Sequence, residues 1–201
     1  ITNARELRDM SSKQIKERYG VVGLRIQNEL KGKICIPIKE IISDRKEICV
    51  SKSFSYPIDS LEELSQAVSK YVQIASSRLR KYNQLSSAIT VFTTTNIHAR
   101  NFYKSEETEQ LNIATSESKV ILEKSLVLTK KIFRPYKKFM KAGVILHKLQ
   151  SNKYKQKMLF SDINIHEEYN LEKLNNTIDD INSRNRRDTL IWGSSSLQNY
   201  W

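Results

Sequence analysis

The stretch ICVSKSFSYPIDSLEELSQAVSKYVQIASSRL (Ile48–Leu79) changes its hydrophobic period midway, and that change decides the fold class. In ICVSKSF (Ile48–Phe54), Ile48, Val50 and Phe54 fall on one face and Cys49, Ser51 and Ser53 on the other, the alternation of a strand buried on one side. Lys52 interrupts the apolar set, and Pro57 predicts the strand's end. Ser60, with Glu63 three residues on, has the pattern of a helix-initiating capping box. Behind it Leu61, Leu64, Val68, Tyr71, Val72, Ala75 and Leu79 recur at helical spacing.

The same two signals return downstream. ITVFTTT (Ile89–Thr95) is rich in β-branched residues and predicts a second strand; QLNIA (Gln110–Ala114), after a polar loop, predicts a third. A second helix is expected from near Ser116 through Val120, Ile121, Val127, Leu128 and Ile132, and AGVILHKL (Ala142–Leu149) predicts the last strand. The order β-α-β-β-α-β is that of an α+β unit in which two helices cover one face of a four-stranded sheet and leave the other open.

Working outward, Ile15, Tyr19, Val22, Ile26 and Leu30 predict two short opening helices closed at Gly32, followed by a linker-like segment around Cys35 and Pro37. Beyond Gln150 the chain turns polar and Lys-rich, then Leu171, Leu174, Ile178 and Ile181 predict one more helix, and Thr189–Trp192 a short strand. The chain opens on Ile1 rather than Met and closes at Trp201 inside an apolar–polar pattern, so it reads as part of a longer protein.

Composition narrows the partners. The 201 residues carry a net charge of +12, which favours a polyanion. Residues 151–201 hold seven charges of each sign, so the excess lies entirely in the first 150. Cys35 and Cys49 form neither a C-x-x-C pair nor a disulfide framework, which suits a reducing cytoplasm; no apolar run is long enough to span a bilayer, so no membrane partner is expected.

Catalytic signals are missing. Asp179 and Asp180 adjoin on a predicted helix, where neighbours point about 100° apart, and they read as a solvated face rather than a magnesium site. His98, His147 and His166 have no acidic or Cys partners at ligand spacing, and no phosphate loop or nucleophile elbow is present.

Three blocks carry a family resemblance. YGVVGLRIQNELKGKICI (Tyr19–Ile36), the sheet segments VSKSF, AITVFTTT and KKFMKAGVIL, and LNNTIDDINSRNRRDTLIWGSSSLQNYW (Leu174–Trp201) together are similar, in that order, to the thumb end, little finger and C-terminal region of Y-family, error-prone DNA polymerases of the UmuC type. The resemblance implies a helical thumb remnant over 1–33, a linker over 34–47, a DNA-binding little finger over 48–149, a second linker over 150–170 and a truncated C-terminal region over 171–201. It also implies that the magnesium-binding palm lies outside this chain, which would hold no cofactor and be inactive alone.

On this reading Ser51, Lys52, Ser53, Thr93, Thr94, Thr95 and Lys141 contact the backbone of primer–template DNA, a mode of grip that reads no bases and suits damaged templates. QKMLF (Gln156–Phe160) resembles the family's sliding-clamp peptide: Leu159 and Phe160 would fill an apolar pocket, Gln156 would bond at its rim and Met158 would adapt to the groove. A UmuD-like dimer and RecA are the family's further partners. Lys130–Lys141 holds six basic residues and no acid, interleaved with Phe133, Tyr136 and Phe139, which are either core residues or a stacking surface for single strands. Two other readings stand beside this one. One is a non-catalytic remnant that binds only DNA or the clamp; the other is an RNA-binding α+β domain, which would call for aromatics on the open face of the central strands.

Overall fold

The computed structural model describes residues 1–37, 45–154, 165–185 and 188–195, of which 154 and 165–169 are described in their backbone alone. Two compact units divide the chain, residues 1–44 and 45–201.

In the first unit, α1 (Ala4–Asp9) and α2 (Ser12–Leu30) are fastened by one buried polar side chain. Gln27 donates from Nε2 to the carbonyls of Met10 (2.6 Å) and Arg8 (3.1 Å), and its Oε1 accepts from the Ser12 hydroxyl at 2.8 Å. Those carbonyls belong to the end of α1, where no further turn can satisfy them, so Gln27 replaces the missing helix. Gly32 ends α2 at φ 79°, with Gly32 N–H bonding Glu29 O and Lys33 N–H bonding Asn28 O, the glycine-closed pattern expected of a left-handed cap. The apolar residues from which two short helices were expected do not form one buried face. Gly20 (φ 65°, ψ −158°) kinks α2, so only Ile15 of that set is buried, while Tyr19, Val22, Ile26 and Leu30 are exposed.

The second unit is α+β, as the period change predicted. Its elements run β1 (Ile48–Ile58), α3 (Leu61–Lys81), β2 (Gln84–Thr94), β3 (Lys104–Thr115), α4 (Ser118–Ile132), β4 (Phe139–Ser151) and α5 (Ile165–Arg184). The sheet order is β1-β4-β2-β3 with every pair antiparallel. Helix α3 starts where Ser60 Oγ accepts from Glu62 N–H at 3.2 Å, with Glu62 and Glu63 in its first turn and Arg78, Arg80 and Lys81 in its last, charges that oppose the helix dipole. Its Leu64, Val68, Tyr71, Val72, Ala75 and Leu79 pack with Ile121, Leu128 and Ile132 of α4 onto Ile48, Val50, Phe54, Ile89, Val91, Val144 and Leu146 of the sheet. Each fully buried aliphatic side chain there contributes about 1.5–3 kcal/mol. Burial pushes the Tyr71 phenol well above its usual range.

Several boundaries differ from expectation. Pro57 does not end β1: pairing jumps from Ser53↔Lys141 to Ile58↔Phe139, so Pro57 sits in a bulge of an edge strand, where its missing N–H costs no ladder bond. Strand β3 begins at Lys104 rather than Gln110, because an edge strand exposed on one side tolerates the polar run KSEETE. On α4, Val120 and Val127 are exposed, and Ser118, Ser125 and Thr129 take buried positions instead.

Helix α5 docks on the helical layer through polar contacts. Arg80 grips Asp179 with both ends of its guanidinium (Nε–Oδ2 2.6 Å, Nη2–Oδ1 3.0 Å) and also donates to Ser116 O (2.8 Å) and Ser118 Oγ (2.9 Å). Asn175 donates to Glu117 at 2.6 Å. Asp179 is therefore not the solvated residue its sequence suggested, whereas Asp180 is exposed and pairs, among the described residues, with Arg184 at 3.5 Å. Thr189–Trp192 forms no strand. Leu190 is held by its backbone instead, its N–H donating to Asn182 Oδ1 and its carbonyl accepting from Asn182 and Gln73.

Candidate nucleic-acid interface

Residues paired across antiparallel strands share a face, so the register sorts every candidate. One row crosses all four strands on the side away from α3 and α4: Ser53, Lys141, Thr94 and Lys104. The next rows on that side are Ser51, Gly143, Phe92 and Glu106, then Cys49, Ile145, Thr90 and Thr108. Interleaved rows face the helices: Lys52, Ala142, Thr93 and Ser105, then Val50, Val144, Val91 and Glu107.

Four of the sequence candidates thus come together on the open face: Ser51, Ser53, Thr94 and Lys141. Two must be removed. Thr93 is fully buried against the helices, and Thr95 is 9% exposed, its Oγ1 accepting from Tyr103 N–H at 2.8 Å to close the β2–β3 loop. The Thr93 hydroxyl cannot reach a phosphate, because strand parity turns odd positions of β2 inward, whereas Thr95 lies just past β2 at the wall of the open-face cleft with its hydroxyl engaged by the loop. Lys52 falls in the helix-side row, yet it lies on edge strand β1 and its side chain is exposed. The clamp-like residues Gln156, Met158, Leu159 and Phe160 lie outside the described residues.

Two residues join the site that sequence reasoning missed. Lys104 was hidden by the reading of 104–109 as loop, because KSEETE is polar on both faces and carries no alternation that marks a strand. Phe92 lies on the open face of central strand β2 with its ring tip over Gly143. A Cβ on that glycine would fall 2.5 Å from Phe92 Cζ and 2.5 Å from Ser51 Cβ, so the absent side chain lets the ring lie close to the sheet.

Two concavities result. One, of about 520 Å³, is lined by Ser53, Phe92, Thr94, Lys104 and Lys141, with Ile97 and Phe102 of the β2–β3 loop at its rim. The other, of about 500 Å³, is lined by Lys46, Thr90, Thr108, Gln110, His147 and Lys148. In the second, the Thr90 hydroxyl bonds both Thr108 Oγ1 (2.7 Å) and His147 Nε2 (2.9 Å), and His147 Nδ1 faces Glu47 at 3.3 Å. Lysines therefore stand at both ends with hydroxyls between. From Lys141 to His147 the strand rises about 20 Å, the span of roughly six phosphates of one DNA strand. On the open face acidic side chains stand at two places, Glu106 of β3, which pairs Lys104 at 2.8 Å, and Glu47, which faces His147 at the far end, while on the helix-facing side Glu109 pairs Lys124 at 2.7 Å. A polyanion on this face is accordingly favoured toward Ser51, Ser53, Thr94 and Lys141. Among the described residues no group of three or more His, Cys, Asp or Glu is placed to hold a metal ion.

Residues 45–159 match the model of the impB/mucB/samB family C-terminal domain. This chain belongs to that family. The full length aligns with the protein UmuC of Salmonella typhimurium at 29% identity, covering 48% of that protein. MucB of Salmonella typhimurium is 30% identical over 73% of the chain and 35% of its own length, and ImpB of the same organism 29% over 90% and 43%. The chain thus spans less than half the length of these relatives. A solved structure, the insertion ternary complex of Dbh DNA polymerase, overlays 76% of this chain and 42% of that one at 12% identity and TM-score 0.45. The family match and the UmuC, MucB and ImpB relatives bear out the resemblance drawn from the three sequence blocks, that of a C-terminal portion of a UmuC-type polymerase. Among the described residues no helix is long and apolar enough to cross a membrane.

Proposed function

We propose that this chain is the DNA-gripping, partner-binding portion of an error-prone translesion polymerase of the cytoplasm, while a magnesium-dependent palm on other polypeptide performs synthesis. The observation that carries this reading is the row Ser53, Lys141, Thr94 and Lys104, one residue from each strand, on the face the helices leave open. Ammonium and hydroxyl groups at strand spacing bind phosphates and ignore base identity, which lets a damaged template pass. Residues 1–33 act as the end of the thumb, 48–149 as the little finger, and Gln156–Phe160 as a clamp-binding peptide; a UmuD-like dimer and RecA are the further partners. The RNA-binding alternative asked for aromatics on the central strands. Phe92 is one, packed at Gly143, but β4 presents Lys141, Gly143, Ile145 and His147 there, with no Phe, Tyr or Trp and with the His147 ring bonded to Thr90 at one nitrogen and facing Glu47 at the other.

The test is fluorescence anisotropy with primer–template DNA across a salt series. Affinity should fall steeply with salt and vary little with sequence, and Lys104→Gln and Lys141→Gln should each reduce the log–log salt slope by about 1. Salt-independent binding, or slopes unmoved by both substitutions, would remove the sheet from the interface. Replacing Leu159 and Phe160 with Ala should abolish capture by the sliding clamp with DNA affinity intact, and retained capture refutes that peptide. Nucleotide incorporation by this chain with magnesium would overturn its assignment as non-catalytic.

A further inference from the structure

The basic and aromatic run Lys130–Lys141 divides in the structure. Phe139 is fully buried and Phe133 half-buried against it, ring centroids 5.9 Å apart, so both belong to the core. Tyr136 does not: it is 98% exposed.

Its backbone is as unusual as its exposure. Arg134, Pro135, Tyr136 and Lys137 form a turn closed by Lys137 N–H to Arg134 O at 3.3 Å, with proline second and a φ of 67° at Tyr136 in third place. Those are the marks of a type II turn, whose third position ordinarily holds glycine because a side chain there is strained. Among the described residues the tyrosine gains no contact that offsets this, since almost none of its surface is covered. Strain kept at an exposed bulky residue points to something outside the chain that uses it.

The surroundings select what that is. Lys130, Lys131, Arg134 and Lys138 are exposed, with no acid in the run. The loop leads into β4, whose Met140 and Lys141 line the first cleft. Lys137 Nζ lies 5.2 Å from the Tyr103 ring centroid, beside the cleft residue Lys104, and Lys141 is five residues along the chain, within about 18 Å. An exposed ring flanked along the chain by exposed cations, in the loop that leads into β4 and Lys141, fits an unpaired base whose backbone is held by those cations.

We propose that Tyr136 is a stacking site for an unpaired base of the single strand that runs on from the duplex held by the open sheet face. This rests on the duplex reading above, and the experiment separates the two. The probes are a fluorescein-labelled primer–template with a single-stranded template overhang carrying 2-aminopurine, and a blunt duplex of the same paired length. Tyr136→Gly should weaken overhang binding about tenfold, abolish the 2-aminopurine fluorescence change, leave blunt-duplex affinity unaltered, and keep or raise the melting temperature because the turn is relieved. Tyr136→Phe should retain overhang binding. The inference is overturned if Tyr136→Gly leaves the overhang preference intact, the outcome expected of a residue that serves a protein partner, or weakens both probes equally. It is also overturned if Tyr136→Phe loses as much as Tyr136→Gly. Absent blunt-duplex binding by the unaltered chain would instead sink the sheet reading, while the overhang arms still report on Tyr136.

Discussion

Replacing Thr93 with Val separates the inward from the outward parity of β2 by a single atom. The Thr93 hydroxyl has no exposure and no hydrogen-bond partner among the described residues, on a strand whose neighbours Val91 and Ala142 belong to the core. An unpaired buried hydroxyl costs about 1–3 kcal/mol. Valine has the same branched shape and puts a methyl group there, worth about 0.8 kcal/mol on burial. With part of that offset by imperfect fit, the variant should gain about 1–2 kcal/mol, read as a rise of about 2–4 °C per kcal/mol by calorimetry. DNA affinity should not change. The companion Thr94→Val, one residue on and facing outward, should leave stability within about 0.5 kcal/mol and weaken DNA binding. The reasoning fails if Thr93→Val destabilises the protein, or if it, rather than Thr94→Val, lowers affinity.

Gly143→Ala should cost about 1–3 kcal/mol by overpacking in chemical denaturation, because the new methyl meets Phe92 and Ser51 at 2.5 Å; adding Phe92→Leu should restore part of the loss, and no recovery would place the clash on Ser51. Arg80→Ala strips Asp179 and Ser116 O of their donor and should raise amide exchange in α5 by the equivalent of about 1.5–3 kcal/mol, leaving the sheet's slowest amides unchanged; an unaltered α5 would mean the guanidinium does not fasten it. The Glu6 carboxyl is held below its usual range by the Thr2 N–H and hydroxyl. A lowered folded value means its support of α1 is present above the unfolded pKa and lost as pH falls through the folded one. Exchange in α1 should therefore quicken on acidification below about pH 4.5, and Glu6→Gln should abolish that dependence.

Local sequence determined the element types of the sheet unit from β1 to β4, the helix starts at Ser60 and near Ser116, and the helical closure at Gly32, because period, caps and positive-φ glycines act over a few residues. The alternation in ICVSKSF also placed Ser51 and Ser53 outward correctly. It did not determine the reach of β3 or the passage of β1 through Pro57, since an edge strand's tolerance for charge and proline depends on which neighbour it lacks. Run as a string, Thr93, Thr94 and Thr95 look alike; only the pairing of β2 with β4 and β3 sends Thr94 to the open face and Thr93 inward, while Thr95 is engaged by the backbone of Tyr103 across the loop.

Tertiary structure alone paired Asp179 with Arg80 across ninety-nine positions, laid Phe92 over Gly143, and divided Phe133 and Phe139 from Tyr136. The physical reason is common to all of them. Composition and periodicity report how much of each kind of surface a segment carries, whereas the partner that covers it, or its absence, is supplied by residues far away in the chain. Positive charge was therefore legible from the sequence, and the surface on which it gathers was not.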